Sequence, residues 1–150
     1  MRTILFICTG NTCRSPMAEA IARAHFEGGD PSLFIGSAGI AAMEGAPSSP
    51  EALNALQHMG IEHNGRSKQL TPDMIRKADL VLCMTPHHVD AVRSLVGGEE
   101  SHLTKVHLLD PDGQPIVDPF GLDQSVYTHL ASLFAEMIPK RVESLLATSA

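Results

Sequence analysis

Thr3-Ile4-Leu5-Phe6-Ile7-Cys8 is a strand-length run with no polar alternation, and it passes directly into Thr9-Gly10-Asn11-Thr12-Cys13-Arg14-Ser15-Pro16. A run of that kind suits a strand covered on both faces, as in the interior of a parallel sheet. Ser15 before Pro16 predicts a helix start, with Ser15 as N-cap and Pro16 at the first helical position. Met17, Ala20, Ile21 and Ala24 then recur at helical spacing. Few architectures accept a buried strand, a tight polar turn and a helix in immediate succession. The doubly wound α/β sheet does, and it places its sites outside the carboxyl ends of its strands.

The rest of the chain repeats the alternation. Leu33-Phe34-Ile35 predicts a second strand, leaving through Gly36-Ser37-Ala38-Gly39. Ser49-Pro50 opens a helix to about Met59, closed by Gly60, and Thr71-Pro72-Asp73 opens a short one. Asp79-Leu80-Val81-Leu82-Cys83-Met84 predicts a third buried strand, and Thr85-Pro86 opens a helix ending near Gly97-Gly98. Lys105-Val106-His107-Leu108-Leu109 predicts the fourth strand. A long loop from Asp110 to Gly121 carries two Asp-Pro pairs. The last helix starts near Asp123 and runs to the C-terminus, with a kink or break expected at Pro139. No repeat, low-complexity tract or linker divides the chain. The expectation is one domain, residues 1–150, of class α/β: a doubly wound, four-stranded parallel sheet of order 2-1-3-4 with helices on both faces.

At 150 residues and 43% hydrophobic content, the chain can bury an ordinary core without staples. Only 4% is aromatic, with no Trp and a single Tyr127, so an aliphatic, Met-rich core is expected, Met43, Met59, Met74, Met84 and Met137 among its members. Against 17 acidic residues stand 11 Lys and Arg, a formal charge of −6. That balance supplies no basic footprint for nucleic acid and disfavours an anionic membrane surface. No apolar run nears the ~18 residues of a membrane span. The apolar start is cut off by Thr9-Gly10-Asn11-Thr12, too soon for a signal peptide, so a cytoplasmic protein is expected. Cys8, Cys13 and Cys83 are an odd set and are expected to be reduced thiols. His87-His88 point in different directions on a helix, and the 8 His are expected mostly at the surface, so neither a metal site nor a cofactor is expected. A monomer is assumed.

The chemistry lies between Cys8 and Ser15. The residues between Cys8 and Arg14 are small or polar, so their N–H groups can converge on one point at a helix N-terminus. Such a ring of amides binds anions. Arg14 adds a bidentate fork that matches a phosphate-like group. The same field favours thiolate over thiol at Cys8, which puts a nucleophile beneath a bound phosphoryl group. A Cys and an Arg at this spacing are a weak signal alone. The strand before and the Ser-Pro after supply the context that a motif needs.

This P-loop segment, with Ser37-Ala38-Gly39, Leu82-Cys83-Met84 and Asp118-Pro119-Phe120, resembles the low-molecular-weight protein tyrosine phosphatase family over essentially the whole chain. The resemblance implies a metal-free, two-step protein phosphatase, a hydrolase with a cysteine nucleophile. Cys8 would take the phosphoryl group as a cysteinyl-phosphate, and Arg14 would bind it and stabilise the transition state. Asp118 would protonate the leaving group and then activate the hydrolytic water. Thr9, Gly10, Asn11, Thr12, Cys13 and Ser15 would form the phosphate cradle, and Phe120 would line the pocket. Asn11 would hold the loop in a left-handed conformation. Ser37 would bond to Asn11, and Ser15 would donate to the Cys8 thiolate. Asp110-Pro111 is a rival in the same loop, but an Asp-Pro directly after a strand reads as a turn initiator. The chain departs from the family at Gly65, where many members carry a His tied to the Asn–Ser pair; His63 is the candidate substitute. For Cys13 the resemblance implies a reversible disulfide with Cys8, shielding it from over-oxidation.

Thr12 bears on the substrate. Family members acting on phosphotyrosine typically carry an aliphatic residue there, and often Tyr after the Asp-Pro. The related protein arginine phosphatases resemble residues 8–15 and 118–121 of this chain, the Thr included. A hydroxyl can meet a planar guanidinium or orient water, but it gives a phenyl ring nothing. The expected partner is a phosphorylated protein or peptide, with phosphoarginine favoured and phosphotyrosine the alternative. A thioredoxin-coupled arsenate reductase would need further cysteines to relay a disulfide outward, and residues 84–98 contain none. A non-catalytic phosphate-binding module would have no use for Cys8 and Asp118 together.

Overall fold

The computed structural model describes residues 2–26 and 32–148. Strands β1 (Arg2–Cys8), β2 (Leu33–Gly39), β3 (Leu80–Cys83) and β4 (Val106–Leu108) form one parallel sheet in the order β2-β1-β3-β4. Around it, among the described residues, lie α1 (Arg14–Phe26), α2 (Pro50–His58), α3 (Pro72–Lys77), α4 (Pro86–Leu95), α5 (Glu100–Leu103) and α6 (Gln124–Thr148). The expected class, strand order and parallel pairing are all present.

β1 reads as unbroken apolar sequence because both of its faces are covered. Ile4, Phe6 and Cys8 enter one core with Met17 and Ile21 of α1, Leu56 of α2 and Phe134 of α6. Leu5 and Ile7 enter the other with Ile75 of α3 and Val89 and Val92 of α4. Each such side chain contributes ~1.5–3 kcal/mol on full burial, so neither register of β1 could afford a polar residue. Because β2 and β3 flank β1, the chain winds in opposite directions from its carboxyl end. The loop at residues 9–13 therefore sits at the switch point, where a crevice opens.

Three caps are as predicted: the side chains of Ser49, Thr71 and Thr85 accept from the N–H groups of Ala52, Met74 and His88, each with Pro at the helix start. Other expectations are corrected. β2 continues through Gly36–Gly39, its pairing with β1 reaching Cys8 opposite Gly39. Its last residues are small because the loop after β1 crosses them: a Cβ on Gly39 would lie 2.4 Å from the Thr9 carbonyl oxygen. α1 begins already at Arg14, so Ser15 is an interior helical residue and not the N-cap. α5 was not foreseen; it buries none of its residues and so carries no apolar periodicity. α6 runs unbroken through Pro139. The lost N–H there is outweighed by packing, since Ile138 and Val142 beside it are fully buried. Residues 149–150, where the last helix was expected to end, lie outside the described residues. The core is less purely aliphatic than the composition implied: Tyr127, Phe6 and Phe134 are among its largest members, while Met43 (77% exposed) and Met59 (39%) lie outside it. No helix among the described residues is long and apolar enough to cross a membrane.

Candidate active site

Cys8 ends β1 and Arg14 opens α1, so the residues between them wrap over the carboxyl edge of the sheet. Asn11 takes the left-handed conformation, with φ 57°, as expected for the residue that bends the loop. Its side chain is fully engaged. Nδ2 donates to Ser15 Oγ (2.7 Å) and Ser37 Oγ (2.9 Å), and Oδ1 accepts from the Lys68 N–H (2.9 Å). From outside, the N–H groups of Ile40, Ala41 and Ser49 donate to the carbonyls of Cys8, Thr9 and Thr12. With those carbonyls held outward, the loop's own N–H groups are free for the concave side.

Two donors face the Cys8 sulfur. The Asn11 N–H lies 3.3 Å from it, and Ser15 Oγ lies 2.9 Å from it. Ser15 accepts from Asn11 Nδ2, which leaves its own proton to donate to the sulfur. This explains why Ser15 is drawn inside the helix: its hydroxyl serves the thiol, not a helix N–H. An arrangement of this kind suits an anionic sulfur.

Arg14 is 5% exposed; its Nη1 donates to the Ile116 carbonyl (3.0 Å) and its Nη2 lies 3.7 Å from Asp118 Oδ2. The Ile116 N–H donates to the Met84 carbonyl (2.8 Å). The loop after β4 is thus pinned to the end of β3 just ahead of Asp118. Asp118 is 56% exposed and its Oδ1 accepts from the Phe120 N–H (3.1 Å). An open ion pair at that distance adds little stability; it fixes where the carboxylate stands. Cys8, Thr9, Gly10, Thr12, Cys13, Arg14, Asp118 and Phe120 line one open cavity of about 230 Å³. Two larger hollows, about 560 and 350 Å³, border His63 and contain no cysteine. Asp110 is not among the lining residues; its Oδ1 accepts from the Asp112 N–H (2.7 Å), the turn-forming role expected of it.

Ser37 closes the support network in a way the sequence did not suggest. It accepts from Asn11 and donates to Glu19 Oε1 (2.7 Å), and Glu19 Oε2 lies 3.5 Å from Arg23 Nη2. Arg23 in turn donates to the Ile35 carbonyl (2.9 and 2.7 Å). Glu19, 4% exposed, therefore fills the place proposed for His63. The available signal was a carboxylate among the small and apolar residues of α1, Met17-Ala18-Glu19-Ala20-Ile21. The His63 ring instead lies over Gly65, where a Cβ would stand 2.9 Å from it. Burial holds His63 below the usual imidazole range, against the raising effect of the Glu19 charge.

Cys13 is buried, with Sγ 3.5 Å from Ser49 Oγ and 3.6 Å from the Tyr127 hydroxyl. Burial, then the hydrogen bond to Cys13, pushes Tyr127 up to about 12. All three cysteines are free thiols. Cys83 is fully buried in β3, and burial pushes its thiol up to about 12, which makes it a poor relay for any disulfide.

The histidines lie mostly at the surface, as expected, and His88 is a buried exception. It is 1% exposed, at the third position of α4. Its Nε2 is 2.9 Å from Thr9 Oγ1, while Nδ1 lies 3.2 Å from the Thr85 nitrogen and 2.9 Å from Thr85 Oγ1. Burial first, then the charges of Arg14 and His87, push His88 down to about 4, against the opposing charge of Asp118. The fold therefore binds fewer protons than the unfolded chain between about pH 6.5 and 4, and stability falls as pH drops through that window. We expect His88→Gln to recover about 2 kcal/mol of the loss between pH 7 and pH 4, read from denaturant midpoints at the two pH values; an unchanged pH dependence would contradict it.

Known proteins share the fold and about a third of the sequence. Residues 3–149 match the family described as low molecular weight phosphotyrosine protein phosphatase. The chain is 38% identical over 144 residues to the protein-arginine-phosphatase of Geobacillus stearothermophilus, covering 95% of each chain. It is 34% identical over 137 residues to the low molecular weight protein-tyrosine-phosphatase PtpB of Staphylococcus epidermidis, covering 91% of this chain and 94% of that one. A solved structure of the YwlE arginine phosphatase, a Cys-to-Ser mutant with a phosphorylated active-site serine, superposes with a TM-score of 0.88 at 33% identity over 95% of each chain. Sheet order, loop and match run together along nearly the whole chain, and the protein belongs to the low-molecular-weight phosphotyrosine protein phosphatase family.

Proposed function

We propose that residues 1–150 form one phosphatase domain that hydrolyses phosphorylated protein side chains in the cytoplasm through a cysteinyl-phosphate on Cys8, with phosphoarginine the favoured substrate. The observation that carries this is the convergence of the Cys8 thiol, the Arg14 guanidinium and the Asp118 carboxyl on one cavity of about 230 Å³. The phosphoryl oxygens sit among the loop N–H groups and the Arg14 fork, which neutralise them without a metal. Cys8 attacks phosphorus, the bond to the leaving nitrogen or oxygen breaks, and Asp118 supplies the proton that atom takes up. A water then attacks phosphorus and gives a proton to Asp118, the sulfur–phosphorus bond breaks, and phosphate departs. Arg14 and Asp118 stand 3.7 Å apart across the cavity lining.

Thr12 supports phosphoarginine, since its hydroxyl offers a polar wall to a planar guanidinium; relatives with both substrate names are similar to the chain. Phe120, 75% exposed at the rim, is the feature that favours the phosphotyrosine reading, because a ring there can stack on another. Matched phosphoarginine and phosphotyrosine peptides, assayed in EDTA, separate the two. We expect higher kcat/KM on phosphoarginine, and Thr12→Ile to move the ratio toward phosphotyrosine by about tenfold. The Thr12 main chain is held by the Ser49 N–H, so the substitution changes the wall and not the loop. A wild-type preference for phosphotyrosine would give the site to the second reading.

A further inference from the structure

We propose that His88 is a positioning residue for the phosphate cradle: its Nε2–H holds the Thr9 hydroxyl so that the hydroxyl proton points into the cavity and donates to a phosphoryl oxygen. The proposal rests on the phosphate-cradle reading of residues 9–13.

The proton inventory fixes the roles. A backbone N–H can only donate, so the Thr85 N–H at 3.2 Å makes His88 Nδ1 an acceptor. The ring proton is then on Nε2, and Thr9 Oγ1 at 2.9 Å accepts it. Thr85 Oγ1 accepts from the His88 N–H at 3.3 Å, so that with the Thr85 N–H on Nδ1 the two residues close a reciprocal capping box at the start of α4. Thr9 has one hydroxyl proton left, and the residue lines the cavity with Cys8 and Arg14. Elsewhere Thr9 has no freedom. Its carbonyl is held by the Ala41 N–H at 2.9 Å and lies against Gly39 so closely that a Cβ there would approach to 2.4 Å. The main chain is clamped from the β2 side and the side chain from α4, with His88 the link to α4. At 1% exposure the imidazole cannot meet the substrate itself and acts through Thr9. A charged ring would set a second proton against the Thr85 N–H and a positive charge near Arg14, and the ring stays neutral, its pKa pushed down to about 4 chiefly by burial.

The competing view makes His88 only a capping residue of α4, and isosteric amides divide the two roles. His88→Asn keeps an acceptor in the place of Nδ1 and loses the donor to Thr9. His88→Gln places an amide N–H where Nε2 stood. Two readouts are taken: kcat and KM on p-nitrophenyl phosphate, and the calorimetric Kd of inorganic phosphate. We expect His88→Asn to melt near the wild-type temperature, yet to lower kcat/KM and weaken phosphate each by about tenfold. His88→Gln recovers to within about threefold. Thr9→Val reproduces the loss, Thr9→Ser does not, and adding His88→Asn to Thr9→Val costs nothing more. Wild-type phosphate affinity in His88→Asn or in Thr9→Val overturns the proposal, and so do losses that multiply in the double variant. If His88→Asn does not fold, the Thr9 pair decides alone. If the wild type hydrolyses neither phosphoarginine nor a phosphate ester, the phosphatase reading falls, and the phosphate Kd still judges His88.

Discussion

Cys8→Ser is expected to lower kcat by at least about four orders of magnitude on every phosphorylated substrate while leaving phosphate affinity near wild type. Cys8 is 3% exposed and lines the cavity, with the Asn11 N–H and the Ser15 hydroxyl facing its sulfur. Those donors can stabilise a thiolate. They cannot ionise an alcohol, whose proton is held far more tightly, and among the described residues no general base is hydrogen-bonded to this atom. Binding is another matter, because the loop N–H groups and Arg14 do not depend on the sulfur. Steady-state kinetics in EDTA with parallel calorimetry of inorganic phosphate checks both halves. A serine variant within about a hundredfold of wild type would remove Cys8 from the mechanism.

Asp118→Asn separates the two steps by the basicity of the leaving group. Expulsion of a guanidine from phosphoarginine requires a proton on nitrogen, so kcat on that substrate is expected to fall by about three orders of magnitude. The p-nitrophenolate group leaves without help, so on that ester the first step survives and hydrolysis of the intermediate becomes limiting. The expected trace is a burst of one nitrophenolate per enzyme followed by slow turnover. The asparagine can still accept from the Phe120 N–H through Oδ1, and the position is 56% exposed, so folding is not at stake. Equal losses on both substrates with no burst would assign the proton to another group.

The sheet was legible because burial on two faces leaves a plain trace: residues 4–8 of β1 and all of β3 are apolar, and Ser-Pro or Thr-Pro marks three helix starts. Cys8, Arg14 and their loop were legible for the same reason, since the strand before and the helix after fix where the loop lies. Asp118 and Ser37 needed the family resemblance, because only the resemblance set the second Asp-Pro above the first. His88 and Glu19 escaped. Each is a polar residue on an otherwise ordinary helix, and its meaning comes from a partner far away in sequence: Thr9 for His88, Ser37 for Glu19. No periodicity reports such a pairing. The break expected at Pro139 failed because a local rule met a fully buried helix face.

The account turns on a phosphoryl group carried by Cys8, and one measurement reads that directly. Asp118→Asn would be mixed with p-nitrophenyl phosphate in EDTA, quenched during the burst, digested, and searched by mass spectrometry for a phosphoryl adduct. The account predicts the adduct on Cys8, at an occupancy matching the burst and absent from Cys8→Ser. An adduct on any other residue, or a burst with Cys8 unmodified, would contradict it.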